Sequence, residues 1–306
     1  MVSVKVMLEY FHPWPNSAGL YVARERGWYA ELGLDVELVV HDPYRGDTLE
    51  HLLTGAADFG IFPSNRLLVR RGLGQPLQGI AAINHAGLES IQTLTDSGIQ
   101  RPRDLVGKRL ALNPTPRGLA MVRHLVSNDG GDPDGVILVD SGVRELRPEQ
   151  LAEGIADASF GGYWAWEALM HSPIEAERRV VLPVDEIGAP AYHSYLLGAH
   201  ERTLAEQPGL VRDFLAATAR GYLAVAEEPA IALAAYEHTT PYFPAELLSA
   251  SLHKIAPTWL HDGRWGEQRQ ALLKPYAEWL HEHAVLDNPQ VWQEATSNAY
   301  LPGAAA

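Results

Sequence analysis

The stretch Glu50–Ile61, EHLLTGAADFGI, and the stretch Glu149–Phe160, EQLAEGIADASF, carry nearly the same pattern twice. At a constant offset, Glu50, Leu52, Gly55, Ala57 and Asp58 match Glu149, Leu151, Gly154, Ala156 and Asp157. Each copy reads as a short helix, a Gly that ends it in the left-handed conformation, and a small-residue strand running into a turn. Phe62-Pro63-Ser64-Asn65-Arg66 follows the first copy, and Gly161-Gly162-Tyr163-Trp164-Ala165-Trp166-Glu167 follows the second. Both continuations are expected to open a new helix, just beyond the carboxyl end of a strand. Ligands of open α/β sheets sit at that edge. Two such units, one per lobe and facing each other, predict a cleft; the plainer reading is chance similarity, since helix-Gly-Asp-strand is common in α/β proteins.

A chain of 306 residues suggests about two domains on a length prior of ~150 residues each. Hydrophobic residues make up 46% and charged residues 20%, enough apolar content for a core in each lobe. The formal charge of −14 opposes sequence-independent nucleic-acid binding, which needs a basic footprint. The absence of Cys removes disulfides, thiolate metal sites and cysteine nucleophiles together. Residues 1–10 show neither a signal-peptide apolar region nor a small-residue cleavage site, and no stretch approaches the ~18 apolar residues of a membrane span. Two expectations stay open: a periplasmic or cell-surface protein whose leader was removed, or a cytoplasmic one that starts at Met1.

Outward from the repeat, Val2–Tyr10 alternates as a first buried strand. Two prolines then force a loop through Phe11, His12, Trp14 and Asn16, and Asn16 or Ser17 is expected to cap a helix that stops at Gly27. Leu34–Val40 is a second strand, giving a βαβ beginning. Beyond the first copy, a helix is expected from Arg66 to Gly72, and strands at Gln78–Asn84 and Ser90–Leu94. Leu110–Leu112 and Val136–Val139 are further strands. A helix is expected over Tyr163–Met170, then strands at Arg179–Val184 and Tyr192–Leu197. Past His200 only helices are expected: Pro208–Ala226, Pro229–Glu237, Ala245–Leu252, Gln268–Glu282 and Asn288–Asn298, covering the first lobe's sheet. The chain crosses between lobes near Gly87–Ser90 and Gly188–Tyr192. Residues 1–88 with 191–306 form lobe I, and 89–190 lobe II. Two crossings make a hinge, the plan of a clamp around a small ligand.

Asn16–Val39, Gly55–Ile61 and Arg103–Arg109 together resemble the thiamine-pyrimidine-precursor family of substrate-binding proteins, over roughly residues 4–255. The resemblance implies an α/β, two-lobed type II periplasmic-binding-protein fold with two crossover hinge segments and a C-terminal helical extension on the first lobe. These motifs are shared with sulfonate and nitrate binders. Gly161–Glu167, GGYWAWE, looks like the pyrimidine-precursor branch, whose members set a carboxylate against the aminopyrimidine ring and stack it on aromatic faces. The superfamily also includes a pyrimidine-precursor synthase that consumes its own bound pyridoxal phosphate and a histidine. Where that enzyme carries its cofactor lysine and its histidine, this chain has Phe62 and Arg66, and its cysteine cluster is missing. The expectation is a binder, not an enzyme, needing no cofactor.

A flat heterocycle is held by stacking and oriented by a few polar groups. The candidate ligand-binding residues lie on loops after strands: Tyr10, Phe11, Trp14 and Asn16; Ser64 and Asn65; Asn113, Thr115 and Arg117; Trp164, Trp166 and Glu167; and Tyr192, His193 or Tyr195. For any one tryptophan the bland alternative is core packing; Trp14, between two prolines, reads as the least core-like. Glu167 is the carboxylate expected to accept from an aminopyrimidine edge, or else a solvated first-turn residue favoured by the helix dipole. Ser64 and Asn65 offer helix-start donors or are plain caps. Pro114 and Pro116 remove two donors from the 113–118 loop, which weakens a phosphate cradle there. His193 is a ligand partner or a satisfied imidazole. No metal is expected: the rings of His281 and His283 point to different helix faces, and His12, His85 and His193 have no sequence neighbour at ligand spacing. The expected partners are a small aminopyrimidine-class heterocycle and an ABC permease, with no nucleic acid and a monomeric chain. The alternatives are a cytoplasmic synthase-like enzyme of thiamine metabolism and a sulfonate- or nitrate-type anion binder.

Overall fold

The computed structural model describes residues 1–40, 42 and 45–304. The chain divides into two compact units, Met1–Ala86 with Tyr192–Ala306, and Gly87–Ala191. In the first unit, β1 (Val2–Met7) alternates exposed and buried residues until its end, with Val4 and Val6 inward and Lys5 outward. After it come α1 (Ala18–Glu25), α2 (Trp28–Glu31), β2 (Leu34–Val39), α3 (Thr48–Leu53), β3 (Phe59–Pro63), α4 (Ser64–Gly72) and β4 (Leu77–Ala82).

The second unit holds β5 (Glu89–Leu94), β6 (Arg109–Leu112), α5 (Pro116–Asn128), β7 (Ile137–Asp140), α6 (Pro148–Ala152), β8 (Ala158–Tyr163) and β9 (Arg179–Pro183). The chain then returns to the first unit with β10 (Tyr195–His200). There it adds α7 (Glu201–Glu206), α8 (Pro208–Glu227), α9 (Ile231–Thr239), α10 (Ala245–Ile255), β11 (Leu260–His261), β12 (Arg264–Trp265), α11 (Gln270–Glu282) and α12 (Trp292–Ala295).

The first sheet has the order β2-β1-β3-β10-β4 and the second β7-β6-β8-β5-β9. They match position for position: the first three strands are parallel, and the fourth, β10 or β5, runs antiparallel to both its neighbours. In each sheet that antiparallel strand is the first one formed after the chain passes between units. The repeat read from sequence lies at the same place in both. Gly55 and Gly154 end their helices at φ +72° and +77°. Asp58 accepts the Lys5 backbone N–H at 2.8 Å and returns its own N–H to the Lys5 carbonyl at 2.9 Å. Asp157 does the same with Arg109, at 2.7 and 2.9 Å.

The long tail helix covers the first sheet as expected. Phe214 of α8 stacks on Phe59 of β3 with centroids 4.2 Å apart, and Tyr29 stacks on Phe214 while its hydroxyl shares a 2.7 Å hydrogen bond with Thr218. Helices α1 and α8 touch backbone to backbone. A Cβ on Gly221 would fall 2.0 Å from the Gly19 carbonyl oxygen, so only glycine permits the approach. In the second unit Leu94, Ala111, Leu151 and Ala156 form one buried apolar cluster.

Five expectations are corrected. Tyr163–Met170 is not a helix; only Glu167–Leu169 makes a single 3-10 turn. The Trp164 N–H goes to the Leu88 carbonyl and the Tyr163 N–H to the Glu167 carboxylate, while Trp166 takes φ −141°, ψ −74° as its side chain is buried. The returning strand starts at Tyr195, not Tyr192, because the Ser194 and His193 carbonyls are taken by the Ser64 N–H and hydroxyl. The tail is not all helix. β11 and β12 form a hairpin through Asp262 and Gly263, both at positive φ, and Asn288–Asn298 breaks after Ala295 so that Ser297 can donate to the Gly79 carbonyl beside edge strand β4. Finally, α4 begins at Ser64 rather than Arg66, and neither Asn16 nor Ser17 caps α1 with its side chain.

Candidate functional site

In the first unit the loop leaving β1 is built around Glu9, a residue that sequence reasoning passed over as the end of an apolar run. Its Oε1 accepts from Trp14 Nε1 at 3.0 Å, Asn16 Nδ2 at 3.3 Å and Ser17 Oγ at 3.2 Å, and its Oε2 accepts from Ser17 Oγ at 3.2 Å. This explains the missing cap: a buried carboxylate takes the hydroxyl that would otherwise serve the helix N-terminus. Burial pushes the Glu9 carboxyl up to about 7, against the downward pull of its own backbone N–H and of the Ser17, Trp14 and Asn16 donors.

The orientation of Asn16 follows from its neighbours. Trp259 Nε1 can only donate, and it reaches Asn16 Oδ1 at 3.0 Å, so Nδ2 faces Glu9 and Asn84. Asn84 answers with its own Nδ2 on Asn16 Oδ1 at 2.8 Å and on Thr258 Oγ1 at 2.8 Å. Two tyrosines fix the loop backbone from the helices behind it. Tyr222 of α8 donates to the Asn16 carbonyl at 2.8 Å, and Tyr236 of α9 to the Trp14 carbonyl at 2.6 Å.

Around Glu9 the aromatic residues divide by burial. Trp14, expected to be the least core-like tryptophan, is completely buried, and so is Asn16. Tyr10 is half-buried and packs on Phe11, His12 and Trp14 at 4.3, 4.8 and 5.4 Å between centroids, while Phe11 is 37% exposed and offers ring surface. Ser64 is buried with its hydroxyl on the His193 carbonyl, and Asn65 is half-buried in the first turn of α4. His193 is the satisfied imidazole of the two readings. Nε2 accepts the Arg269 N–H at 3.0 Å, so Nδ1 carries the proton and donates to the Asn84 carbonyl at 2.9 Å. Burial lowers its pKa to about 4. Tyr192 is buried against Tyr276 at 4.6 Å, and Tyr195 lies buried at the start of β10.

His85, His193 and His261 come together in space although they are far apart in sequence, with ring centroids 4.9 and 5.8 Å from His85. Burial and the neighbouring His193, Arg269 and His261 bring the His85 pKa down to about 3. Among the described residues no group of three or more His, Cys, Asp or Glu side chains is arranged to hold a metal ion.

The second unit gathers a different set at the carboxyl end of its sheet. Arg117, in the first turn of α5, is buried and ion-paired with Glu89 at the start of β5. Thr115 caps α5 by accepting the Gly118 N–H at 3.1 Å, and Pro116 supplies no N–H, so the helix start has few donors left to offer. Asn113 and Thr115 are exposed. Burial, with the nearby Glu89 charge adding to it, raises the Glu145 pKa; Asp185, which accepts the Gly87 N–H at 2.7 Å, is pushed up to about 6 chiefly by burial. On the loop after β8, Trp164 Nε1 donates to the Gly87 carbonyl at 2.9 Å and Trp166 is completely buried. Glu167 is half-buried, with Oε2 accepting the Tyr163 N–H at 2.8 Å.

Sequence reasoning drew its candidates from these loops. It missed Glu9, Asn84, Glu89 and Glu145, each a polar residue set in or beside an apolar strand end. The available signal was position: Glu9 closes a strand that leads straight into an aromatic, proline-bracketed loop.

Comparison with known proteins places these features in context. A formylaminopyrimidine-binding protein of Halalkalibacterium halodurans is 28% identical over 97% of this chain and 90% of its own length. A 4-amino-5-hydroxymethyl-2-methylpyrimidine phosphate synthase of Candida albicans is 23% identical over 86% of this chain and 82% of its own. Among solved structures, the periplasmic aliphatic sulphonate binding protein SsuA from Escherichia coli superposes with a TM-score of 0.70 at 14% identity, covering 96% of this chain and 97% of that one. That likeness establishes the periplasmic-binding-protein fold and nothing about the ligand. The model of the family described as NMT1/THI5 like matches residues 14–232, and the chain belongs to that family.

Proposed function

We propose that this chain is the solute-binding component of an ABC-type importer and that its cargo is a small aromatic aminopyrimidine related to thiamine. The observation that carries the reading is the Glu9 array: an acceptor of raised pKa fixed at a strand end, with Phe11 and Tyr10 offering ring faces beside it. A flat ring edged with N–H donors is the complement of such a surface. The relative named as a formylaminopyrimidine-binding protein, matched over nearly the whole chain, supports the same ligand class. Glu9 thereby takes the orienting role first expected of Glu167, whose carboxylate serves its own loop. In this role the protein works outside the cytoplasmic membrane, as a monomer, and delivers cargo to a permease.

Two other readings fit less well. The synthase-named relatives raise an enzyme of pyrimidine synthesis. Against it, Phe62 is buried in β3 where the resemblance would require the cofactor lysine, and Arg66 is an exposed residue within 4.0 Å of Asp47. An anion binder needs donors at helix starts and unspent cations. Here Arg117 is committed to Glu89, α5 is capped by its own threonine, and the surrounding acids Glu89, Glu145 and Asp185 repel a second negative charge.

The test is a thermal-shift panel of aminopyrimidines, thiamine, pyridoxal phosphate, sulfonates and nitrate. A ligand at ~100 times its Kd stabilises by about 2.7 kcal/mol, and the expected outcome is a raised Tm with aminopyrimidines alone. A shift with pyridoxal phosphate supports the enzyme reading, and a shift with sulfonate or nitrate the anion binder; either one refutes the assignment.

A further inference from the structure

Building on the aminopyrimidine reading, we propose that Glu9 passes a proton to the ligand's ring nitrogen on binding, so that the site selects heterocycles by ring basicity. The two carboxyl oxygens are not equivalent. Oε1 accepts from the Trp14, Asn16 and Ser17 side chains together, which leaves it little room for a proton; the side-chain donor to Oε2 is the Ser17 hydroxyl, which Oε1 shares. The neutral acid therefore carries its hydrogen on Oε2. The donors hold that oxygen in place: Asn16 is locked by Trp259 and Asn84, and the loop backbone by Tyr222 and Tyr236.

The side chains that donate to Glu9, those of Trp14, Asn16 and Ser17, carry no charge. Among the described residues the titratable groups facing it are Tyr21 of α1, Tyr222 of α8 and Tyr236 of α9, with His12 further along its own loop; Arg24 lies over the ring of Tyr21, 5.2 Å from its centroid. The three phenols are driven above their ordinary range by burial and stay neutral. Among the described residues the carboxylate thus has no fixed counter-cation bonded to it, and a protonated ring supplies one. In the step the Oε2–H bond breaks and a ring N–H bond forms, leaving a carboxylate–pyrimidinium pair with no change in total charge. The carboxyl, pushed up to about 7, titrates in the range where aminopyrimidine ring nitrogens do, so the transfer is nearly balanced in free energy. Above that range Glu9 is already ionised, and the ring takes its proton from water.

The experiment is calorimetric titration of the intact protein with 4-aminopyrimidines carrying electron-donating or electron-withdrawing ring substituents. It is run at about pH 6 and about pH 8, each in two buffers of different ionisation enthalpy, with wild type and Glu9→Gln. In wild type, affinity is expected to rise with ring basicity, with close to one proton taken up at the higher pH; at the lower pH the count is close to none for weakly basic rings and a net release for rings basic enough to be protonated when free. Glu9→Gln is expected to bind the most basic ligands about tenfold or more weakly and to lose the dependence on basicity. A wild-type affinity indifferent to basicity, or binding without proton uptake at the higher pH, overturns the proposal while leaving an aminopyrimidine binder standing. Failure of every aminopyrimidine to bind overturns the functional reading, and this inference with it. The wild-type measurements decide the matter even where the variant does not fold. Phe11→Ala serves as the contrast, expected to weaken all the ligands alike without altering the proton count.

Discussion

The two units solve one problem with the same frame and different finishes. Both place the repeat's Asp opposite the second strand in the sheet order, β1 or β6, and both use an antiparallel fourth strand contributed after the chain changes units. They part where that strand ends. In the first unit β1 runs into a loop whose carbonyls and side chains are tied to α8, α9 and the tail by Tyr222, Tyr236 and Trp259. In the second unit β6 runs into Asn113-Pro114-Thr115-Pro116, an exposed loop stiffened by its prolines and by the Thr115 cap. A hydrogen-bonded network can hold a buried carboxyl in one orientation; a proline-stiffened exposed loop can only hold its own backbone. The difference explains why the acid of the first unit meets only neutral donors, whereas Glu89 of the second is matched to Arg117.

The comparison breaks most completely at the support behind the first loop. Gly221→Ala puts a methyl 2.0 Å from the Gly19 carbonyl oxygen, so α1 and α8 must separate and carry Tyr222 away from Asn16. The expected cost is about 3 kcal/mol or more, read as a lowered denaturation midpoint. Ligand binding is expected to fall with it. A variant as stable as wild type would show that the helix contact does not set the loop.

How much of this was legible beforehand depends on the range of the interaction concerned. The repeat was legible because its parts are local: Gly55 and Gly154 need a left-handed residue, and Asp58 and Asp157 reach a strand fixed by the same parallel pairing. The GGYWAWE segment was misread as a helix because helical spacing and an aromatic loop share a composition, and the deciding contacts, Leu88 to Trp164 and Gly87 to Trp164 Nε1, are some 77 residues apart in the chain. Asp262-Gly263 did announce a hairpin turn, but strands of two residues leave no alternation to notice. Glu9 was hidden for a further reason. Its partners Trp14, Asn16 and Ser17 are near in sequence, yet Asn16 and Ser17 are also ordinary helix caps, and only the buried Asn84, Thr258 and Trp259 side chains decide between the two uses.

A smaller effect separates the two buried titrations of the first unit, because they have opposite signs. Glu9 has a folded pKa raised from 4.5 to about 7, so the native state holds the extra proton between those values and the Glu9 contribution to stability is lost as pH rises through that window. His193 is lowered from 6.5 to about 4, so the unfolded state holds the extra proton and stability is lost as pH falls through that window. The two slopes partly cancel in wild type. Glu9→Gln keeps the acceptor oxygen and removes the titration, so its stability is expected to rise with pH more steeply than wild type, by up to about 3 kcal/mol across the window. Chemical denaturation at several pH values checks it; parallel wild-type and variant curves would remove Glu9 as a buried acid.

The smallest expected difference is the most direct probe of the repeat itself. Asp58 and Asp157 both accept the backbone N–H of the strand residue opposite, but only Asp157 also takes that residue's side chain, with Arg109 Nη2 2.8 Å from Oδ1; Lys5 turns instead toward Glu37 at 3.6 Å. The Arg109 side-chain hydrogen bonds, more than any other influence, lower the Asp157 pKa. Both acids are partly exposed, so the ion pair is worth little beyond its hydrogen bonds. Asp58→Ala is expected to cost about 1 kcal/mol and Asp157→Ala about 1.5, each still keeping the backbone N–H that returns to the strand carbonyl. A cycle with Arg109→Met isolates the extra half: the gap between the two alanine variants is expected to close when Arg109 is absent. Should it persist, the two copies differ in their strands and not in the side chain that Arg109 adds.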